Sequence, residues 1–148
     1  MRQINLIVVH CSATPEGVDY KEADIDKWHK ARGWRGTGYH YVVDLDGTIE
    51  VGRPEAQIGA HSKGHNANSI GVCYIGGVDS RGKSKDTRTL RQHLGLSTII
   101  SKLHNKYLNA SVVGHRDLSL DIDGDGIVQK HEWTKDCPCF NVKDWYYG

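Results

Sequence analysis

Apolar residues are gathered into a few short runs separated by polar, glycine-bearing stretches. The first run, Ile4 to Cys11, is β-branched and apolar on both parities, the pattern of a strand covered on both faces, and it sets His10 near the strand's end. From Lys21 to Arg32, Ile25 and Trp28 recur at helical spacing with the stem of Arg32 behind them, and Gly33 follows as a stop, which predicts a short amphipathic helix. Residues 39–43 and 48–51 flank Asp44-Leu45-Asp46-Gly47, whose Asp-Gly pair predicts a hairpin turn between two strands. A Gly- and His-rich loop from Gly59 to Asn68 is too polar for the core. Strand character resumes from Ser69 to Ile75 and stops at Gly76-Gly77. Beyond the polar stretch Asp79 to Asp86, Leu96, Ile99, Ile100, Leu103 and Tyr107 share one face of the longest predicted helix, and Ser111-Val112-Val113 forms a last short strand.

Strands and helices alternate with no repeat, low-complexity block or linker. This predicts an α/β fold (α+β in some schemes), a central mixed β-sheet flanked by helices, in one domain spanning 1–148. The 148 residues can bury a core without disulfide staples, and four cysteines are too few for a disulfide scaffold. Cys11 and Cys73, inside strand-like runs, are expected as buried thiols. A net charge of +1 provides no field to draw nucleic acid or an anionic membrane, so neither is an expected partner. No apolar run approaches the roughly 20 residues of a transmembrane helix, and residues 4–9 lack the charged start and cleavage pattern of a signal peptide. A monomer made in the cytoplasm is expected.

The histidines change this picture. His10 has two late segments as potential partners, Gly114-His115-Arg116-Asp117 and Lys135-Asp136-Cys137-Pro138. Imidazole nitrogen and thiolate sulfur suit zinc, and three protein ligands leave a fourth position for catalysis. Spacing alone leaves the ligand set open, since His10, His115 and Cys137 form no compact zinc motif and Cys139 is a second nearby thiol.

Five strings in order narrow the choice: His10-Cys11-Ser12-Ala13-Thr14, Gly38-Tyr39-His40-Tyr41, Gly59-Ala60-His61, Asn68-Ser69-Ile70-Gly71-Val72-Cys73 and Lys135-Asp136-Cys137-Pro138. Over almost the whole chain the sequence resembles the zinc-dependent N-acetylmuramoyl-L-alanine amidases of the phage lysozyme type, relatives of the peptidoglycan recognition proteins. The resemblance implies that fold, with His10, His115 and Cys137 as zinc ligands, Cys139 as a buried neighbour, and Tyr39 and Lys135 as catalytic side chains. Zinc would polarise the lactyl-amide carbonyl and activate water, while the tyrosine hydroxyl and lysine ammonium donate to the developing oxyanion. His61, His65 and Asn66 are expected to line the substrate groove, and Asp117 to orient His115 or a neighbouring amide.

One segment departs from that pattern. Asp121-Ile122-Asp123-Gly124-Asp125-Gly126-Ile127-Val128-Gln129-Lys130-His131-Glu132 occupies a connection that is much shorter in the phage amidases, and it reads as an inserted EF-hand-like calcium loop. Asp121, Asp123 and Asp125 stand at positions 1, 3 and 5, the carbonyl of Ile127 at position 7 and Glu132 at position 12. A structural Ca2+ there would help to bring Lys135 and Cys137 to His10. The function implied is hydrolysis of the bond between N-acetylmuramic acid and L-alanine in peptidoglycan, by a phage or prophage endolysin acting on the cell wall. The alternative is a non-catalytic peptidoglycan receptor on the same fold, against which the Cys137, Tyr39 and Lys135 set argues.

Overall fold

The protein is described by a computed structural model covering residues 2–120, 122–126, 128–133 and 135–148. Its sheet has the order β4-β3-β5-β1-β7, built from β1 (Leu6–Cys11), β3 (Tyr41–Val43), β4 (Ile49–Val51), β5 (Ser69–Tyr74) and β7 (Ser111–Gly114). β1 runs parallel to both β5 and β7, and β3 is parallel to β5 but antiparallel to β4, so the sheet is mixed as expected. The predicted hairpin joins β3 to β4. Gly47 turns it at φ +85°, and a Cβ there would stand 2.5 Å from the carbonyl oxygen of Arg91.

Cover on both faces of the sheet explains the double-sided apolarity of β1. Ile7, Val9 and Cys11 face a core shared with Ile70, Val72, Tyr74 and Val112, over which α2 (Leu90–Lys106) lays Leu96, Ile99, Ile100 and Leu103. α2 starts at a capping box in which Thr89 accepts from the Gln92 amide and the Gln92 side chain accepts from that of Thr89. Alternation turns Val8 and His10 to the opposite face, where α1 (Glu22–Ala31) covers Val42, Cys73 and Ile75 with Ile25.

The buried face of α1 corrects the expectation from spacing. His29, four residues after Ile25, is the second buried residue, while Trp28 turns outward and stacks edge-on against Tyr20. Four residues slightly exceed one helical turn, so His29 lies on the same face as Ile25. Three short elements were not expected. β2 (Thr14–Pro15) pairs in parallel with β6 (Gly77–Val78), and α3 (Val142–Tyr147), capped by Asn141, packs on β7, where Tyr147 Oη accepts the Val112 amide. Cys11 and Cys73 are buried, and no helix among the described residues is long and apolar enough to cross a membrane.

Candidate functional site

Parallel register unites the two ends of the chain. Val9 on β1 lies beside Gly114 on β7, so the next residues, His10 and His115, emerge side by side from the carboxyl ends of adjacent strands, with ring centroids 4.5 Å apart. Cys137 arrives from the far side. Its carbonyl accepts the Arg116 amide at 2.8 Å, and its Sγ takes the Cys11 amide at 3.2 Å and lies 3.8 Å from His10 Nδ1. The Tyr74 hydroxyl fixes the neighbouring Pro138 carbonyl at 2.6 Å.

One donor atom from each of His10, His115 and Cys137 lies within 4.8 Å of the other two. Sulfur and nitrogen ligands of a tetrahedral zinc stand about 3.6 Å apart given the usual bond lengths, close to the separation found. Electrostatics agree with this donor set. Burial, and secondarily His61, His115 and Lys135, hold His10 well below the ordinary histidine range, and burial also lowers His115, so both imidazoles are neutral near pH 7. The amide bonded to Cys137 Sγ suits a thiolate. These residues therefore fit the metal that the sequence implies. Cys139 points elsewhere, its thiol donating to the Gly77 carbonyl at 3.2 Å and lying 3.9 Å from Cys11 Sγ.

His10 and His115 open into a groove of about 620 Å³ lined also by Tyr39, His61, Asn66 and Lys135, with Arg32, Trp34 and Arg116 around it, while Cys137 lines a second cavity of about 210 Å³ that shares Tyr39 and Lys135 with the groove. Tyr39 packs against His10 at a centroid distance of 5.1 Å, and burial, followed by the nearby thiols, raises its pKa well above 10, so its hydroxyl keeps its proton. Lys135 is exposed at the groove, near enough to depress both His10 and His115. Asp117 accepts the Gly114 amide at 2.8 Å, so it braces the strand end that presents His115.

The expected groove residues divide. Asn66 lines the groove, but its Oδ1 accepts the amides of His61 and Ser62 and shapes the loop. His61 also lines the groove with both ring nitrogens engaged inside the protein, Nδ1 with His10 Nε2 at 2.9 Å and Nε2 with Ser69 Oγ at 3.1 Å. His65 is not among the lining residues, although Ser62, Lys63 and Asn66 around it are; its amide closes a turn onto the Ser62 carbonyl at 2.9 Å.

Two histidines escaped the sequence reading. His29 Nδ1 accepts the Gly38 amide at 2.8 Å and its ring packs on Tyr39, while buried His40 accepts the Gly71 amide at 3.0 Å. The spacing of His29 from Ile25 was the available signal.

In the inserted segment, Asp121 and Ile127 lie outside the described residues. Asp123, His131 and Glu132 bring donor atoms within 4.8 Å of one another, and Gly124 and Gly126 have φ of 71° and 84°. Buried Glu132 accepts the Gln129 amide at 2.9 Å and the Asp123 amide at 3.2 Å, so its carboxylate closes the loop through hydrogen bonds. Asp125 donates its amide to Asp123 Oδ1 at 3.3 Å. Trp133 at the segment's end stacks on Arg116, whose guanidinium carbon lies 3.8 Å from the ring centroid.

Known proteins share this arrangement of chain and fold. The endolysin of Escherichia phage T7 is 38% identical over 140 residues, covering 95% of this chain and 83% of its own. The endolysin of Klebsiella phage KP32 is 34% identical over 145 residues, covering 98% and 87%. Among solved structures, the N-acetylmuramoyl-L-alanine amidase LysC from Clostridium intestinale URNW superposes with a TM-score of 0.72 at 29% identity, over 97% of this chain and 85% of that one. The family model described as N-acetylmuramoyl-L-alanine amidase matches residues 1–139, and the chain belongs to that family.

Proposed function

We propose that the protein is a zinc-dependent endolysin that hydrolyses the amide bond between N-acetylmuramic acid and L-alanine of peptidoglycan. The observation that carries this reading is the meeting of His10, His115 and Cys137 beside two cavities that both include Tyr39 and Lys135 in their walls, in a chain of the amidase family. His10 through Nδ1, His115 and Cys137 through Sγ would hold the zinc, which supplies Lewis acidity toward a carbonyl oxygen and toward water. Tyr39 and Lys135 are the donors. As the amide carbon becomes tetrahedral, the protonated hydroxyl and the ammonium donate to the oxygen on which charge accumulates. The raised pKa of Tyr39 suits it to hold its proton at Oη until that charge develops.

Muropeptide release from purified sacculi tests this. Zinc-replete wild type should release stem peptide, and Cys137→Ala should not. Activity surviving in Cys137→Ala would overturn the zinc mechanism. Absence of release by zinc-replete wild type, with sacculi still bound, would replace the enzyme with a receptor.

The same reading extends to the whole chain: residues 1–148 act as one catalytic unit and as a monomer, made in the cytoplasm and acting on the wall. Sedimentation at several protein concentrations checks the oligomeric state. The segment 121–132 is further proposed to take Ca2+ through Asp121, Asp123, Asp125, the Ile127 carbonyl and Glu132. What supports this is the spacing of acidic residues together with the positive φ of Gly124 and Gly126. Calorimetry on metal-stripped protein should show binding of Ca2+; no heat at millimolar calcium would overturn it.

A further inference from the structure

His61 was expected to touch substrate, yet its ring is committed elsewhere. Alternation along β5 turns Ser69, Gly71 and Cys73 toward the groove side, and the His61 imidazole lies across the first two. A Cβ on Gly71 would stand 2.6 Å from His61 Cγ and Cδ2, and one on Gly59 would stand 2.7 Å from Cδ2. Two residues without side chains thus accommodate the ring. Its nitrogens reach His10 Nε2 on one side and Ser69 Oγ on the other, and the loop carrying it is tied by Asn66 to the amides of His61 and Ser62.

These contacts imply a single order of protons. His10 presents Nδ1 toward Cys137, so a metal held there leaves the proton on Nε2, which donates to His61 Nδ1. His61 must then carry its own proton on Nε2, which donates to Ser69 Oγ. We propose that His61 is a positioning residue for the metal centre: it accepts the His10 Nε2 proton, fixes the His10 tautomer and ring plane, and is itself fixed by Ser69 and the bare Cα atoms of Gly59 and Gly71. This role rests on the zinc reading given above.

The test is zinc affinity of full-length, metal-stripped protein, read by competition with a chromogenic chelator. Asn and Leu are close in size, but only Asn offers an oxygen near the place of imidazole Nδ1. His61→Leu should therefore lose about 10- to 100-fold in affinity, the usual cost of removing a hydrogen-bond partner from a metal-ligating histidine. His61→Asn should keep affinity within about threefold of wild type. Ser69→Ala, which frees the far end of the ring, should weaken zinc in the same direction by a smaller factor and serves if the Leu variant does not fold. The ligand-field spectrum of the Co2+ form should change in His61→Leu and be restored in His61→Asn. Equal zinc affinity in wild type, His61→Leu and Ser69→Ala would overturn the assignment, as would equal losses in the Leu and Asn variants. A wild type that binds no zinc would instead remove the metal reading, a distinguishable result that takes this one with it.

Discussion

Gly71→Ala places a methyl group where the structure has none to spare. In the parallel register Gly71 lies beside Val8, with the His61 ring directly over it. The new Cβ would begin 2.6 Å from ring carbon and 2.9 Å from Nδ1, whereas ordinary contact begins at 3.4 Å. The ring or the strand must therefore retreat by about 0.8 Å, in an interior that packs like a crystal and relaxes only in part. Because Nδ1 is the atom bonded to His10, that movement falls on the 2.9 Å contact and stretches it beyond useful hydrogen-bond length. Overpacking of this kind costs about 1–3 kcal/mol, which for a chain of this size lowers the melting temperature by roughly 3–10 °C. Circular dichroism melts of the metal-stripped protein measure the first effect, and chelator competition measures the second, a fall in zinc affinity of about tenfold or more. An alanine variant with unchanged melting temperature and unchanged zinc affinity would refute the reasoning.

Tyr39→Phe removes one proposed oxyanion donor while keeping the ring against His10, so it should leave zinc affinity unchanged and lower kcat by about 10²–10³; a loss confined to KM would contradict the assignment. His29→Leu leaves the buried Gly38 amide without its acceptor and should cost about 1–3 kcal/mol in urea unfolding, with a further loss of activity through Tyr39. Asp44 is buried near Lys21, and burial together with the nearby Glu50 raises its pKa to about 7. A carboxyl raised in the folded state contributes most below its unfolded value of 3.8 and loses that contribution as pH climbs through about 7. Asp44→Asn should accordingly melt higher relative to wild type at pH 8 than at pH 4.5; equal differences at both would show that ionisation of Asp44 carries no penalty.

What the sequence disclosed follows the strength of the periodic signal. A strand in a sheet covered on both faces, here by α2 and α1, is apolar on both parities, so β1 and β5 were legible, as was the stripe of Leu96, Ile99, Ile100 and Leu103 on α2. α3 was not, because six residues with three aromatics, Trp145, Tyr146 and Tyr147, show too short a period. In α1 the period was present, but a tryptophan was taken for the buried residue where a histidine is. At the site, residue types and motif order singled out His10, His115 and Cys137, and the register of β1 with β7 supplies the reason why the histidines meet. The use of His61 was hidden because a loop has no parity from which to read a side chain's direction. The information lay in β5 instead, where Ser69 and Gly71 leave room and a partner for a ring.

The placement of Cys137 has a consequence for the order in which the molecule is made. All five strands of the main sheet are translated by Gly114, and His115 follows at once. A nascent chain at that stage carries both imidazoles but not Cys137, and neither Lys135 nor the loop that brings it. Only after the ribosome adds the inserted segment and Cys137 is the proposed donor set whole. On the proposed zinc reading, activity must wait for Cys137, and a translation product stalled before it holds the sheet without the proposed sulfur ligand.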